Sequence, residues 1–363
     1  MTTNKKLRVA VLGATGMVGQ RFVTLLDAHP WFEVAVVAAS KRSHGRTYAE
    51  VLRDRWLMSV PMPSWAAPMV VQDASDVEGI ASEVDFVFCA VDMSKEATAK
   101  LEDAYALAET PVVSNNSAHR LTPDVPMLIP EINAHHLSLI PHQRQRLGVR
   151  RGFVAVKPNC SLQSYVPALH ALWDFEPRLV AVSTYQALSG AGKTIETWPE
   201  MADNVIPFIR GEEEKSEQEP SRIWGHVDQG VVVPSIHPLI TAQCVRVPVS
   251  HGHLATVWVS FDQDPSTEDI VARWQSFEGL PQRVGLPSAP KPFLTYMGDE
   301  ARPQTRIDRD VGAGMGVSVG RLREDAVFDY RFVALSNNTV RGAAGGAVLM
   351  AELLVHEGYI EAR

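Results

Sequence analysis

The sequence predicts an α/β protein in two parts, a doubly wound parallel sheet followed by an α+β unit built on an open sheet. Three observations carry this expectation. The chain has 363 residues, more than a single hydrophobic core usually organises. Its first half alternates short apolar runs with stretches of helical periodicity, the pattern of parallel strands joined by right-handed crossovers. Its second half carries long segments of alternating apolar and polar residues, as in an open sheet with one buried face.

The elements follow in order. Leu7–Leu12 reads as a buried strand, residues 13–19 as a glycine loop, and residues 17–28 as a helix stopped by Pro30. Residues 33–39 and 84–91 read as further strands, 95–109 as a helix and 111–113 as a short strand. The pattern changes near Lys157 and Pro158. Residues 162–173 look helical, and 244–249, His253–Phe261, 315–322 and 327–335 alternate as strands. After Leu335 the chain turns helical again over 342–354. It contains no internal repeat and no low-complexity tract.

Composition removes several function classes. With 45% hydrophobic and 21% charged residues the chain reads as an ordinary soluble globular protein, not a fibrous or disordered one. Thirty-four cations against 42 acids give a net charge of −8, and without a basic block nucleic acid is not an expected partner. The longest apolar run, 84–91, falls far short of the roughly 18 residues that a membrane helix needs, so no membrane partner is expected. The first residues contain no apolar signal core. Cys89, Cys160 and Cys244 are too few and too scattered for a disulfide framework or a zinc site, so no metal is expected. The setting they suggest is reducing and cytoplasmic.

Four constellations could carry chemistry. The first is the loop Gly13, Ala14, Thr15, Gly16, Met17, Val18, Gly19 between a strand and a helix. Its middle glycine comes one place later than in the usual dinucleotide fingerprint. A tight turn, bare backbone amides and a helix N-terminus nevertheless suit a pyrophosphate, as in a Rossmann-type domain. A glycine turn made only for packing is the alternative. At the end of the second strand, where an acid would hold the ribose hydroxyls of NAD, the chain has Ser40, Lys41, Arg42 and Ser43. Two cations and two hydroxyls suit a 2′-phosphate and favour NADP, against the plain reading of an exposed basic loop.

The second constellation places Cys160 at the start of the helix-like stretch, after Lys157, Pro158 and Asn159. The positive end of a helix dipole lowers a thiol pKa. By position alone a nucleophile and a buried filler are equally good readings, and Cys89 and Cys244 read as filler. Third, Arg246 lies on the strand face opposite Val245, Val247 and Val249, and His253 opens the next strand after a turn at Gly252. They could anchor a carboxylate and act as acid or base, although either residue alone reads more readily as structural. The fourth, residues 211–219, is a charged stretch containing Glu212 and Lys215, and its charge pattern reads as a solvated loop or helix face.

Together these residues resemble the aspartate-β-semialdehyde dehydrogenase family, in the branch typical of archaea, fungi and some bacteria. The resemblance spans most of the chain: GATGMVG at 13–19, AASKRS at 38–43, SNNSAHR at 114–120, PNCS at 158–161, QALSGAG at 186–192, NVIPFIRGEEEK at 204–215, RVPVSHGH at 246–253 and NNTVRGAAGG at 337–346. Eight segments in the family's order implicate Cys160 as nucleophile, Gln186 in positioning the acyl group and His253 as acid/base. The resemblance also implies Arg246 at the substrate carboxylate, Glu212 and Lys215 completing the substrate and phosphate pocket, and Arg120 with Asn116 at the phosphate. Ser189, Gly190, Gly192 and Asn338 would line the nicotinamide end. Two departures stand out: His119 where the family often has Phe or Leu, and Lys157 where it often has Asn.

The resemblance implies NADPH-dependent reductive dephosphorylation of 4-phospho-L-aspartate to L-aspartate 4-semialdehyde through a Cys160 thioacyl intermediate, in lysine, threonine and methionine biosynthesis. Amides at the start of the Cys160 helix are the expected oxyanion donors. Residues 1–157 with 338–363 would form the NADP domain. Residues 158–337 would form a catalytic and dimerisation domain, a mixed sheet covered by helices on one face, pairing into a homodimer or homotetramer. A related acyl-CoA reductase such as malonyl-CoA reductase, a catalytically silent NADP-binding paralogue and a purely structural dimerisation protein are the alternatives. The SNNSAHR segment argues against the first, and intact Cys160, Gln186, Arg246 and His253 against the second. The glycine loop with the Lys41–Arg42 pair argues against the third.

Overall fold

In the computed structural model, which describes residues 5–363, the chain builds two six-stranded sheets whose edges meet. The first four residues of the expected nucleotide domain lie outside the described residues. The first sheet contains β1 (Leu7–Leu12), β2 (Phe32–Ala39), β3 (Gln72–Asp73), β4 (Phe86–Cys89), β5 (Val112–Ser114) and β6 (Val154–Val156). They run in the order β3-β2-β1-β4-β5-β6, all parallel. This is the doubly wound arrangement in which ligands collect at the carboxyl ends of the strands. Its strands are apolar on both faces, as β4 (Phe, Val, Phe, Cys) illustrates with all four residues buried, because helices cover both sides.

The small β8 (His226–Asp228) and β9 (Val231–Val233) form a separate hairpin. The second sheet contains β7 (Pro177–Gln186), β10 (Leu239–Arg246), β11 (His253–Phe261), β12 (Leu294–Met297), β13 (Val317–Glu324) and β14 (Tyr330–Ser336). Its order is β10-β7-β11-β14-β13-β12; β10 pairs parallel with β7 and β12 with β13, and the other neighbours are antiparallel. The sheet is mixed, as expected. Alternate residues of β11 are buried, with Ala255, Val257 and Val259 facing the core. Helix Leu162–His170 covers that face, contacting β11, β13 and β14.

Several boundaries differ from the sequence reading for identifiable reasons. The strand expected at 244–249 is Leu239–Arg246. Pro248 has no N–H to continue a ladder, and the polar residues at the strand's start lie on its exposed side. The strand expected at 84–91 shortens to Phe86–Cys89, since Asp85 bonds the Arg8 amide with its side chain. The C-terminal helix, Gly345–His356, is entered through a π-turn at Val340–Ala344. Its buried residues pack into the same apolar cluster as Val9, Val11 and Phe88 of the first sheet and Phe22 of the helix Met17–Leu25. Among the described residues no helix is long and apolar enough to cross a membrane.

Candidate active site

The site forms where the two sheets present their edges to each other. Cys160 follows β6 by four residues, so it sits at the carboxyl edge of the parallel sheet. Gln186 ends β7 and Arg246 ends β10, directly paired in register. His253 opens β11, opposite Ser336 at the end of β14, and Asn338 follows two residues later. Strand register alone therefore gathers Gln186, Arg246, His253 and Asn338 at one edge. Sequence spacing could not have shown this.

Cys160 Sγ lies 3.4 Å from His253 Nε2. The other ring nitrogen, Nδ1, accepts the Ala187 amide hydrogen at 3.0 Å. That bond assigns the tautomer: a neutral ring accepting at Nδ1 carries its proton on Nε2 and donates toward the sulfur. Burial, with help from Arg246, pushes the His253 pKa down to about 3, so the ring is neutral at ordinary pH. The expected lowering of the Cys160 thiol by the helix dipole is not what the site gives: burial raises the thiol above its ordinary value, the Glu212 carboxylate adds to that, and Lys157, Arg120 and Arg246 offset only part of it.

Asn159 fixes the turn that presents the cysteine. Its Oδ1 accepts from the Ser161 amide at 2.8 Å and hydroxyl at 2.6 Å, and its own amide donates to Glu219 at 2.6 Å. One expected oxyanion donor, the Ser161 amide, is thereby taken. The Asn159 side-chain amide also donates to both Glu212 oxygens at 3.0 Å. Gln186 donates to Glu212 at 3.1 Å and Lys215 pairs with it at 2.8 Å. Burial alone would raise the Glu212 carboxyl, but Lys215 and the two amides outweigh it and hold it below its usual value. The charged stretch is the helix Glu212–Ile223, with Glu212 and Glu219 buried and aimed at the site. Glu219 lies two turns from Glu212, so a helical reading of the stretch would have found it.

Arg246 is 5% exposed and donates from Nη1 to Ala187 O at 2.6 Å. A Cβ on Gly190 would stand 2.8 Å from that Nη1 and 2.9 Å from the His253 ring, so only glycine leaves open space between them. Ser189 and Asn338 bond each other at 2.9 Å, and Asn338 Oδ1 accepts the Gly252 amide at 2.8 Å, tying the glycine-rich turn ending at Gly192 to the start of β11. Arg120 is more heavily engaged than the sequence suggested. Its guanidinium donates to Glu219 at 3.0 Å, to Lys157 O at 2.9 Å and to Asn115 O at 3.2 Å. The Asn116 carboxamide turns onto buried Glu102 at 3.3 Å and Cys89 Sγ at 3.5 Å. Cys89 and Cys244 are buried, consistent with filler.

A second cleft, of about 500 Å³, opens at the carboxyl ends of β1, β2 and β4 and is lined by Gly13, Thr15, Gly16, Ser40, Lys41 and Arg42, with Arg55 and Asp73. Gly13 has φ +81°, and a Cβ there would lie 2.3 Å from Ala90 O. Gly16 caps the helix Met17–Leu25 without a side-chain bond, which leaves amides of the first turn, Met17 and Val18 included, to an anion. Ser43 does not line the cleft; its amide closes a turn onto Ser40 O at 2.8 Å. Sequence reasoning missed Arg55, a lone arginine beyond any motif. A phosphate-bearing dinucleotide fits this donor set.

Comparisons with known proteins agree with the geometry. The semialdehyde dehydrogenase NAD binding domain family matches residues 8–140, and the semialdehyde dehydrogenase dimerisation domain family matches residues 168–341. An aspartate-semialdehyde dehydrogenase of Methanothermobacter thermautotrophicus is 43% identical over 96% of this chain and 99% of its own length. The crystal structure of aspartate semialdehyde dehydrogenase with NADP from Candida albicans superposes with a TM-score of 0.88 at 35% identity, covering 98% of this chain and 100% of that one. A malonyl CoA reductase (NADP) of Metallosphaera sedula is 36% identical over 99% of each chain. The chain belongs to the aspartate-semialdehyde dehydrogenase family.

Proposed function

We propose that the chain catalyses the reversible NADPH-dependent conversion of 4-phospho-L-aspartate to L-aspartate 4-semialdehyde and phosphate. The observation that carries this reading is the Cys160–His253 pair at 3.4 Å, with the Arg246 guanidinium across the gap that Gly190 keeps open. Cys160 Sγ attacks the acyl carbon; a C–S bond forms, the C–O bond to phosphate breaks, and phosphate leaves with the electron pair. The coenzyme, when bound, supplies the hydride that reduces the thioester. His253 holds its Nε2 proton toward the oxygen that becomes anionic and donates to it. On collapse to the aldehyde the hydroxyl proton returns to His253 Nε2, the C–S bond breaks and its electron pair leaves with the sulfur as thiolate.

Arg246 takes the α-carboxylate, for which a planar guanidinium is suited. Arg120 and Lys215 hold the phosphate, with Asn116 shaping the Arg120 loop through Glu102 and the Ser114 hydroxyl. Glu212 orients Gln186 and Asn159. Lys41 and Arg42 hold the coenzyme 2′-phosphate, and Ser189 with Asn338 borders the nicotinamide. Residues 1–157 with 338–363 act as the coenzyme domain and 158–337 as the catalytic domain. The assembly is a homodimer, or a tetramer of two such dimers, working in the cytoplasm, where the three free thiols stay reduced.

The test is oxidation of L-aspartate 4-semialdehyde by NADP with and without phosphate, and with coenzyme A in its place. Turnover should require phosphate and vanish in Cys160→Ala, with NADP binding retained. Turnover that needs coenzyme A and ignores phosphate would instead assign an acyl-CoA reductase.

A further inference from the structure

A further cavity, of about 510 Å³, shares no lining residue with the coenzyme cleft, and neither Cys160, Gln186, Arg246 nor His253 borders it. It lies where elements of the two sheets meet. Arg21 and Leu25 line it from the helix Met17–Leu25, and Trp56, Leu57 and Met58 from the loop after the helix Tyr48–Leu52. The second sheet contributes His251, from the turn before β11, and Arg309 with Asp310, ahead of β13.

Both walls are held in place. Gln20, 1% exposed, accepts the Leu57 amide hydrogen at 2.7 Å and donates to Arg55 O at 3.0 Å, while the Trp56 indole donates to Val60 O at 2.8 Å. Arg309 Nη1 donates to Ser250 Oγ and to His251 O, each at 3.2 Å. Its stem lies against Gly252, where a Cβ would stand 3.2 Å from Arg309 Cβ. The Asn337 side chain donates to Asp310 Oδ1 at 2.9 Å. A preformed cavity of this size suits a small ligand.

Its polar groups are left short of partners. Arg21 Nε and His251 Nδ1 are sealed from solvent and, among the described residues, have no hydrogen-bond partner. Burial draws the Arg21 guanidinium down, and only the Asp310 charge answers it. Burial, with Arg309 and Arg21, also lowers His251, so that ring is neutral at pH 7. Two guanidiniums therefore share one carboxylate, which leaves a single positive charge over in a partly desolvated space. Such a surplus is costly until an anion enters.

We propose that this cavity is a second ligand site, and that it takes a small monocarboxylate with an apolar body. The carboxylate meets Arg21 and Arg309, whose planar forks match it, and the body lies against Leu25, Trp56, Leu57 and Met58. One carboxylate brings the local charge to zero; a phosphate dianion would overshoot by one. A ligand held in this way bridges elements of both sheets.

The inference does not depend on the catalytic reading. The probe is phenylacetate, compared with phenyl phosphate and benzyl alcohol. Each is titrated by ligand-observed NMR at about pH 7.5, where a phosphate monoester is a dianion, against the full-length enzyme with NADP at saturation. Phenylacetate should bind saturably with a Kd of about 1 mM or tighter, ahead of phenyl phosphate, and benzyl alcohol should not bind. Arg21→Met and Arg309→Met should each weaken phenylacetate about 10-fold or more, and Arg246→Met should leave its affinity unchanged. Asp310→Asn leaves two charges over and should turn the preference to phenyl phosphate. The Asp310 side chain is 68% exposed, so this variant and the wild type decide the matter even if an arginine variant fails to fold. Absence of saturable binding in the wild type, or an unchanged preference in Asp310→Asn, would overturn the proposal. So would binding lost in Arg246→Met and kept in Arg21→Met, which would place the probe at the substrate carboxylate site instead.

Discussion

Gly190 shows how little tolerance the site has at the level of single atoms. A methyl group there would meet Arg246 Nη1 at 2.8 Å and the His253 ring at 2.9 to 3.0 Å. Both are buried and cannot swing aside freely. Gly190→Ala should therefore displace the carboxylate anchor and the acid together, by an amount of the order that costs about 100-fold in kcat/KM. Melting temperature should stay near wild type, and the 2′-phosphate end of the coenzyme, in a cleft formed by other residues, should keep its contacts. Unchanged kinetics would mean that the substrate approaches from another side. Lys157 gives a second prediction at this scale. Its folded pKa of about 7 lies below the ordinary lysine value of 10.5, so between these pH values the unfolded chain binds a proton that the folded chain lacks. This group's contribution to stability therefore rises with pH across that window. Lys157→Met should be more stable than wild type at pH 7, and the gap should narrow toward pH 10. Urea midpoints at several pH values check this, and a gap that widens with pH would contradict it.

At the scale of elements, the proposed coenzyme choice rests on the turn after β2. Ser40, Lys41 and Arg42 line the cleft while Ser43 only closes the turn. Losing one charge-assisted contact costs roughly 1.5–3 kcal/mol, so Arg42→Ala should weaken NADP about 10- to 150-fold and leave NAD use nearly unchanged. Titration with both coenzymes decides; equal losses would make Arg42 a structural residue. The same element shows what a sequence can disclose. β1, the glycine loop and the Lys41–Arg42 pair were legible because local chain geometry determines their meaning: a buried strand, a tight turn, a helix start. His253 and Arg246 were legible as residues, yet their meeting was not, since it depends on the register of β7, β10 and β11. The Asn159–Glu212–Lys215 network stayed hidden because a charged helix face reads as solvated until another element covers it. The resemblance puts Arg120 with Asn116 at the phosphate, and only the fold reveals that Glu219, two turns along that helix from Glu212, already holds it.

For the whole molecule, the second sheet poses the question that the first has answered. Helices cover both faces of the parallel sheet, but only one face of the mixed sheet is covered. The other face presents Leu179, Ala181 and Tyr185 from β7, Leu254 and Trp258 from β11, Val333 from β14 and Leu239 from β10. Leu239 is 59% exposed and Tyr185 37% exposed. Ser183, Thr256 and Arg331 lie among these residues, and the homodimer proposed above would use this face, a second copy of the same sheet turned about a twofold axis being its self-complementary partner. This face begins one residue from the catalytic edge: Tyr185 precedes Gln186, and Leu254 follows His253. Pairing should therefore stiffen the strands that place the acid and the acyl-positioning amide. Trp258 sits at the middle of β11, opposite Ala181 on one side and Arg331 on the other. Trp258→Asp should bury a carboxylate in the interface and shift the sedimenting mass toward that of one 39.9 kDa chain. Because the site is assembled within one chain, NADP binding should survive, while kcat falls as the strand ends loosen. A variant that stays dimeric would place the interface on another surface; a monomer with full kcat would show that the sheet edge holds its geometry alone.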